Sequence, residues 1–417
     1  MKRTHHYANL WVLSIHHLEL LVHKTASTPL SHRIQSIEPS QTLSLSAKAN
    51  VLKAQGHAII NLGVGEPDFD TPAHIKQAAI EAIHQGYTKY TPVEGLLDCR
   101  KAIVTKLARD NALHYEPNQI LVSCGAKQSF FNLTQALLNP GDEVIIPAPY
   151  WVSYPDMVHL SGATPVRVPC TMAQHFKISA AQLAAAITPK TKLLVMNSPS
   201  NPTGMAYSLE ELKALSEVLM QHPHVWIASD DIYEHMLWEK DTFCNILNAC
   251  PALYARTIVI NGVSKTYAMT GWRIGFAAGP QEIIEAMTTL QSQSTSNACS
   301  IAQMAAKAAL LGDQACIEPM RQAFKARHDY LVQALNAIPG IECLAGDGTF
   351  YAFPKVEGLI QALGLKDDGA LSDYLLNKMY IAVVPGSAFG APGHIRLSFA
   401  TSLENLQEAV KRLQKIG

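Results

Sequence analysis

From Asn118 onward the chain alternates short apolar runs with polar loops and helical segments, and this unit limits the fold more than any other feature. The five-residue runs Gln119–Ser123, Glu143–Pro147, Lys192–Met196, Val225–Ser229 and Thr257–Asn261 are mostly aliphatic and read as strands. Gln128–Leu138 reads as a helix after the first of them. Strand–loop–helix units of this kind build an α/β fold: a mostly parallel central sheet with helices on both faces. Open sheets of that type bind ligands just past the carboxyl ends of their strands. The loops there are Gly125-Ala126-Lys127, Pro149-Tyr150-Trp151, Asn197 to Gly204, Asp230 to Tyr233, and Gly262 to Arg273.

With 417 residues and nearly half of them apolar, the chain can bury more than one core. Residues 1–28 differ from the rest. Lys2 and Arg3 precede an apolar stretch, but His16, His17 and Glu19 interrupt it, and no small-residue cleavage site follows. A dispensable extension is expected there. A helix is expected after Ser40 and Thr42, ending near Gly56, then a strand over Ile59–Val64. Thr71-Pro72 reads as an N-cap with proline at the first helical position, and that helix should reach Gln85. A helix-rich stretch follows Ile283, with a polar bend over Gln291–Asn297. The C-terminal part has shorter strands (Gly348–Phe353, Ile381–Val384, His394–Phe399) and ends in an amphipathic helix, Leu403–Lys415. The expected division is an extension over 1–28, a segment of a small α+β domain over 29–70, a large domain over 71–312, and the remainder of the small domain over 313–417.

A net charge of −1 speaks against nucleic acid or an anionic membrane as partner. No apolar run is long enough to cross a bilayer. The eight cysteines show no metal-binding spacing and suit a reducing compartment, so a cytoplasmic protein without a metal site is expected.

The loop after Thr257–Asn261 carries Lys265 and, eight residues on, Arg273. A lysine amine can form a Schiff base with a carbonyl, and an arginine can grip a phosphate with a planar fork of donors. Aldehyde plus phosphate describes pyridoxal 5′-phosphate. The other loops hold what that cofactor needs. The Gly125-Ala126-Lys127 turn at a helix start offers amides to an anion, and Tyr90 offers a hydroxyl. Asp230 suits a pyridine nitrogen that must stay protonated, Asn201 and Tyr233 suit its phenolic oxygen, and Trp151 suits its face. Arg396 suits a substrate α-carboxylate. Each residue alone has a plainer reading: Trp151 as core, Asp230 as a helix cap, the Asn201–Gly204 stretch as a turn, Tyr90 and Arg396 as surface groups. Their order along the chain is what the plainer readings leave unexplained.

The motifs GEPDF (65–69), KYTPVEG (89–95), GAKQ (125–128), PYWVSYP (149–155), NSPSNPTG (197–204), SDDIYEH (229–235), SKTYAMTGWRIG (264–275) and HIRLSFATS (394–402) together resemble the class I aminotransferases of fold type I, in particular bacterial and thermophile-type aspartate aminotransferases. The resemblance implies a Schiff-base role and proton transfer for Lys265, with Asp230, Tyr233, Asn201 and Trp151 around the ring. It places Arg273, Gly125, Ala126, Lys127 and Ser264 near the phosphate. Tyr90 would reach the phosphate of a neighbouring subunit, so a homodimer with shared sites is implied. Gly65, Arg396, Asn201 and Trp151 would bind the carboxylate end of amino acid and keto acid substrates. One departure is Gly262, where many members have a hydroxyl.

For a dicarboxylic substrate, the bend at 291–297 has no arginine to meet the second carboxylate. The resembling subgroup uses a lysine after the glycine turn with a serine and a threonine near the N-terminus, here Lys127, Ser40 and Thr42. Glu38, standing where prephenate users tend to have a basic residue, would repel a carboxylate. The expected reaction is ping-pong transfer from L-aspartate to 2-oxoglutarate, with prephenate poor. Competing readings are an aminotransferase of aromatic, alanine or prephenate/glutamate preference, or a β-lyase on the same fold. A dinucleotide oxidoreductase is set aside, since no GxGxxG follows a strand.

Overall fold

The structure is a computed structural model that describes residues 30–37, 41–239 and 243–416, without the side chains of 41–43. The extension over 1–28, Glu38 and Ser40 lie outside the described residues, as does the side chain of Thr42. The chain forms two units, residues 1–37 and 38–417. Within the first, a short helix, His32–Gln35, is capped by Ser31, whose Oγ accepts from the Ile34 amide.

The second unit begins with helix Gln41–Ala54, so Thr42 lies inside this helix rather than ahead of it. Strand β1 is only Ile60–Asn61, because the following glycines and proline leave the ladder. The seven-stranded sheet is built from β2 (Ile120–Ser123), β3 (Glu143–Ala148), β4 (Thr164–Pro169), β5 (Thr191–Asn197), β6 (Trp226–Asp230), β7 (Thr257–Gly262) and β8 (Gly275–Ala278). Its order is β2-β8-β7-β6-β5-β3-β4. Only β8 runs against its neighbours, β2 and β7. Every residue of β7 is buried, as expected of a strand covered on both faces. One face packs on a cluster that includes Ile103, Leu107, Leu215 and Leu310, and the other on a cluster that includes Phe130, Tyr154 and Met287.

The smaller sheets pair β1 with β10 (Ile381–Ala382) and place β12 (Ile395–Ser398) between β9 (Tyr351–Ala352) and β11 (Val384–Pro385). They share a separate core with helices Ile317–Asn336 and Leu403–Leu413, centred on Phe324, Phe350, Leu331 and Leu406. Here the sheets are built across sequence: the Ser398 amide donates to Leu62 O at 2.7 Å.

The helix after Pro72 starts at Ala73 and ends at His84, and Thr71 does not cap it. The Thr71 hydroxyl donates instead to Ala268 O at 2.7 Å and accepts from Trp272 Nε1 at 2.9 Å. A tertiary partner on the lysine loop has outcompeted the local cap. Among the described residues no helix is long and apolar enough to cross a membrane.

Candidate active site

A cavity of about 440 Å³ opens at the carboxyl ends of β5, β6 and β7. It is lined by Gly65, Ala126, Lys127, Trp151, Asn201, Asp230, Tyr233, Ser264, Lys265, Arg273 and Arg396, all expected from the sequence. Strand–loop geometry explains why most of these residues meet: they lie at or past strand ends that the parallel sheet sets side by side, while Gly65 follows β1 and Arg396 comes from β12 of the smaller sheets.

Lys265 sits three residues past β7. Its Nζ donates to Gly65 O at 2.5 Å and lies 5.8 Å from the Tyr233 ring centroid. Burial brings its pKa down to about 8; Glu66 and Asp230 oppose the shift, while Arg396 and Arg273 add to it. A usable fraction of neutral amine is therefore present near neutral pH.

Asp230 ends β6 and is buried. It caps no helix. Burial raises its pKa to about 6, against two groups that favour the ionised form: the Tyr154 hydroxyl, which donates to Oδ2 at 2.5 Å, and the Ile232 amide, 3.3 Å from Oδ1. Neighbouring Asp231 turns away, held by Ser229 and Asn245, and burial raises its pKa well above the usual carboxylate range.

The anion cradle forms where β2 meets helix Ala126–Leu137. Gly125 precedes that helix at φ +86°, and a Cβ there would collide with the Arg273 guanidinium. Glycine is needed on both counts. Arg273 Nη2 donates to Cys124 O at 3.2 Å and Nη1 to Thr270 O at 2.9 Å, which sets the guanidinium beside Gly125 at the start of the helix, where first-turn amides have no partner inside the helix. A side chain at Gly262 would press on the backbone of Ile274 and Gly275, so the hydroxyl missing there has no room; Ser264 lines the cavity instead.

Arg396, on β12, is buried. Its Nη1 donates to Asn201 Oδ1 at 2.9 Å and Nη2 to Gly63 O at 2.7 Å, while Nε has no protein partner. A buried guanidinium with a spare donor is suited to a carboxylate. Lys127 Nζ lies 4.9 Å from the Trp151 ring centroid, its pKa lowered by burial and by Arg273.

Tyr90 does not line the cavity and is 92 % exposed. Among the cavity residues that sequence reasoning did not single out, four have telling contacts. Tyr154 holds Asp230. Tyr351 exchanges a hydrogen bond with Tyr233 at 2.9 Å and lies under Arg396, 4.5 Å from ring centroid to Cζ. Asn197 Oδ1 accepts from the Asn201 amide at 2.8 Å. Glu66 accepts from Thr270 Oγ1 at 2.8 Å. Tyr154, Asn197 and Glu66 lay inside quoted motifs, so their signal was present; Tyr351 lay in an expected strand with no such mark.

The arrangement fits the aldehyde-and-phosphate cofactor expected from the sequence. It offers an amine, a buried carboxylate with acceptor capacity to spare, an aromatic wall, a side-chain-free anion cradle, and beyond them an orphaned guanidinium donor.

Comparison with known proteins carries the reading further. The chain is 58% identical over 393 residues to an aspartate/prephenate aminotransferase of Nitrosomonas europaea, which covers 93% of this chain and 99% of that one. Its fold matches the crystal structure of the aspartate aminotransferase from Rhizobium meliloti with a TM-score of 0.90, at 46% identity over 93% of this chain and 98% of that one. It also matches aspartate aminotransferase from Thermus thermophilus with maleate, with a TM-score of 0.89, at 42% identity over 94% and 100% of the two chains. The family model described as Aminotransferase class I and II matches residues 57–413, and this chain belongs to that family.

Proposed function

We propose that this aminotransferase uses pyridoxal 5′-phosphate and moves an amino group from L-aspartate to 2-oxoglutarate. The observation that carries the reading is the convergence of Lys265, Asp230 and Arg396 on one cavity. The relatives named for aspartate support the choice of donor, as does the maleate, a dicarboxylate, named with the Thermus protein.

When bound, pyridoxal phosphate supplies the electron sink that lets the Cα–H bond of an amino acid ionise. Lys265 is the residue that would hold it, with Arg273, Ser264 and the amides after Gly125 toward its phosphate, Asp230 toward its ring nitrogen, Tyr233 and Asn201 toward its phenolic oxygen, and Trp151 on its face. Arg396, whose guanidinium lines the cavity, binds the substrate α-carboxylate and orients the Cα–H bond. The Lys265 amine accepts the Cα proton and would deliver it to the cofactor-side carbon across the substrate nitrogen, a task suited to a pKa of about 8. Lys127 meets the second carboxylate as a point charge, with Ser40 and Thr42 as its expected neighbours.

We propose further that the protein is a cytoplasmic homodimer in which Tyr90 of the partner subunit completes the phosphate site. The 92 % exposure of Tyr90 supports that reading. The separate cores of the seven-stranded sheet and of the C-terminal strands support a large domain over 71–312 and a small one that includes 313–417 and the segment before residue 71, of which residues up to 37 form a unit of their own.

A second reading has specific support: the Nitrosomonas relative is named for prephenate as well as aspartate. Prephenate is also a dicarboxylate keto acid, and Glu38 alone argues against it. Two panels decide. Amino donors are compared with 2-oxoglutarate as acceptor, and prephenate is then offered as acceptor with aspartate or glutamate as donor. Aspartate should lead the first panel; preference for alanine or an aromatic donor would overturn the main reading. Turnover of prephenate comparable to that of 2-oxoglutarate would establish the second.

A further inference from the structure

Glu234 and Asn261 do not line the cavity, yet each adjoins machinery that does. Glu234 directly follows Tyr233, and Asn261 stands at the end of β7, four residues before Lys265. The Glu234 carboxylate is buried and shared. Lys106 forms an ion pair with Oε1, Asn111 Nδ2 donates to Oε2 at 2.5 Å, and Asn261 Nδ2 donates to Oε1 at 2.9 Å. His235 Nε2 lies 3.4 Å from the same oxygen and from Asp110 Oδ2, and Asp110 is held by Arg109. Lys106 and Asn111 belong to helix Leu97–Asn111, and Lys106 Nζ also donates to Asn111 Oδ1 at 2.6 Å. Asn261 Oδ1 accepts from the Gly262 amide at 2.7 Å, which fixes the turn into the lysine loop.

Lys106 and Glu234 side chains are each only 3% exposed. A buried ion pair is weak as a source of stability, since apolar residues of the same size often do as well. What this one supplies is geometry. One carboxylate ties the loop that carries Asp230 and Tyr233 to the strand end that delivers Lys265, and anchors both to a helix. Burial alone would raise the Glu234 pKa, but Lys106, His235 and Asn111 bring it below its usual value, so the carboxylate is charged while it does this.

We propose that Glu234 is a positioning residue, acting through Asn261 and Lys106 to hold Lys265 and Tyr233 in register. The inference rests on the aminotransferase reading. A misplacement of about 1 Å at a reacting group lowers rates by about 100-fold, so loosening this tie is expected to act on turnover more than on substrate binding.

The test uses Asn261→Ala, which leaves Glu234 paired with Lys106 and Asn111 and strands no charge, and Glu234→Gln, which keeps the shape. In the holoenzyme, kcat of each should fall by about tenfold or more while KM for aspartate stays within about threefold. In the cofactor-free full chain, acylation of Lys265 is followed across pH by peptide mass spectrometry. Its midpoint, set by burial and by Glu66, Arg396, Arg273 and Asp230, should move in both variants. The double variant should lose little beyond the worse single one, because the two residues act through one contact. A lowered Tm with wild-type kcat and an unmoved labelling midpoint would overturn the proposal, as would losses that simply multiply. Either single variant suffices if the other does not fold. A wild-type chain without transamination would sink the aminotransferase reading alone, since the labelling midpoint still decides the positioning role.

Discussion

Tyr154 donates its hydroxyl to Asp230 Oδ2 across 2.5 Å, and both groups are buried. The bond opposes burial, which lifts the Asp230 pKa to about 6. Tyr154→Phe removes a stabiliser of the ionised form, so the pKa rises further and the acid limb of kcat/KM moves to higher pH. A hydrogen bond to a charged group is worth about 1.5–3 kcal/mol, so kcat at neutral pH should fall by about 10- to 100-fold. An unmoved acid limb would show that Tyr154 only packs.

Lys265→Met should abolish transamination, and borohydride should fix the cofactor to Lys265 in wild type alone. The same change should stabilise the cofactor-free chain. The amine has a pKa of about 8 when folded against 10.5 when free, so between those values the unfolded chain binds the proton more tightly and stability rises with pH. Below pH 8 the buried charge costs about 1–3 kcal/mol. Tm of Lys265→Met should therefore exceed wild type at pH 7, with the gap closing toward pH 10; a lower Tm at pH 7 would contradict this.

Lys127→Ala should cost aspartate about 2–3 kcal/mol in kcat/KM, the scale of a lost charged hydrogen bond, and leave alanine and phenylalanine nearly unchanged. Equal losses on all donors would assign Lys127 to the phosphate instead.

Gly125→Ala should weaken cofactor binding strongly. It must adopt a positive φ, at a cost of about 1–3 kcal/mol, and displace the Arg273 fork as well. Cofactor titration of the cofactor-free chain measures this, and an unchanged Kd would refute the cradle.

Tyr90→Phe should leave a dimer in sedimentation but lower cofactor affinity about 5- to 10-fold, the worth of one hydrogen bond. A fully active monomer would remove the shared site.

Much of the site was legible because its residues follow strands whose aliphatic runs are unmistakable. The strands that escaped are instructive. β4 contains Pro165 and Pro169, which argue against a strand, yet it lies at the sheet edge, where proline is tolerated. β8 is Gly-Phe-Ala-Ala, too short and small to stand out, and it enters antiparallel between the preceding β7 and the distant β2. The Thr71 cap failed for the opposite reason: the local signal was real, but Ala268 and Trp272 offered better partners. Tyr351 could not be assigned because its contacts to Tyr233 and Arg396 join distant segments, and nothing near it in sequence reports them.

Arg396 lies on β12, late in the chain, whereas the residues proposed to hold the cofactor within one protomer all precede residue 274. Synthesis therefore completes the two halves of the site at different times. A growing chain on the ribosome carries the lysine loop, the glycine turn and the buried aspartate's strand well before the strand that bears Arg396 has been made. If Arg396 binds substrate as proposed, amino transfer has to wait for β12.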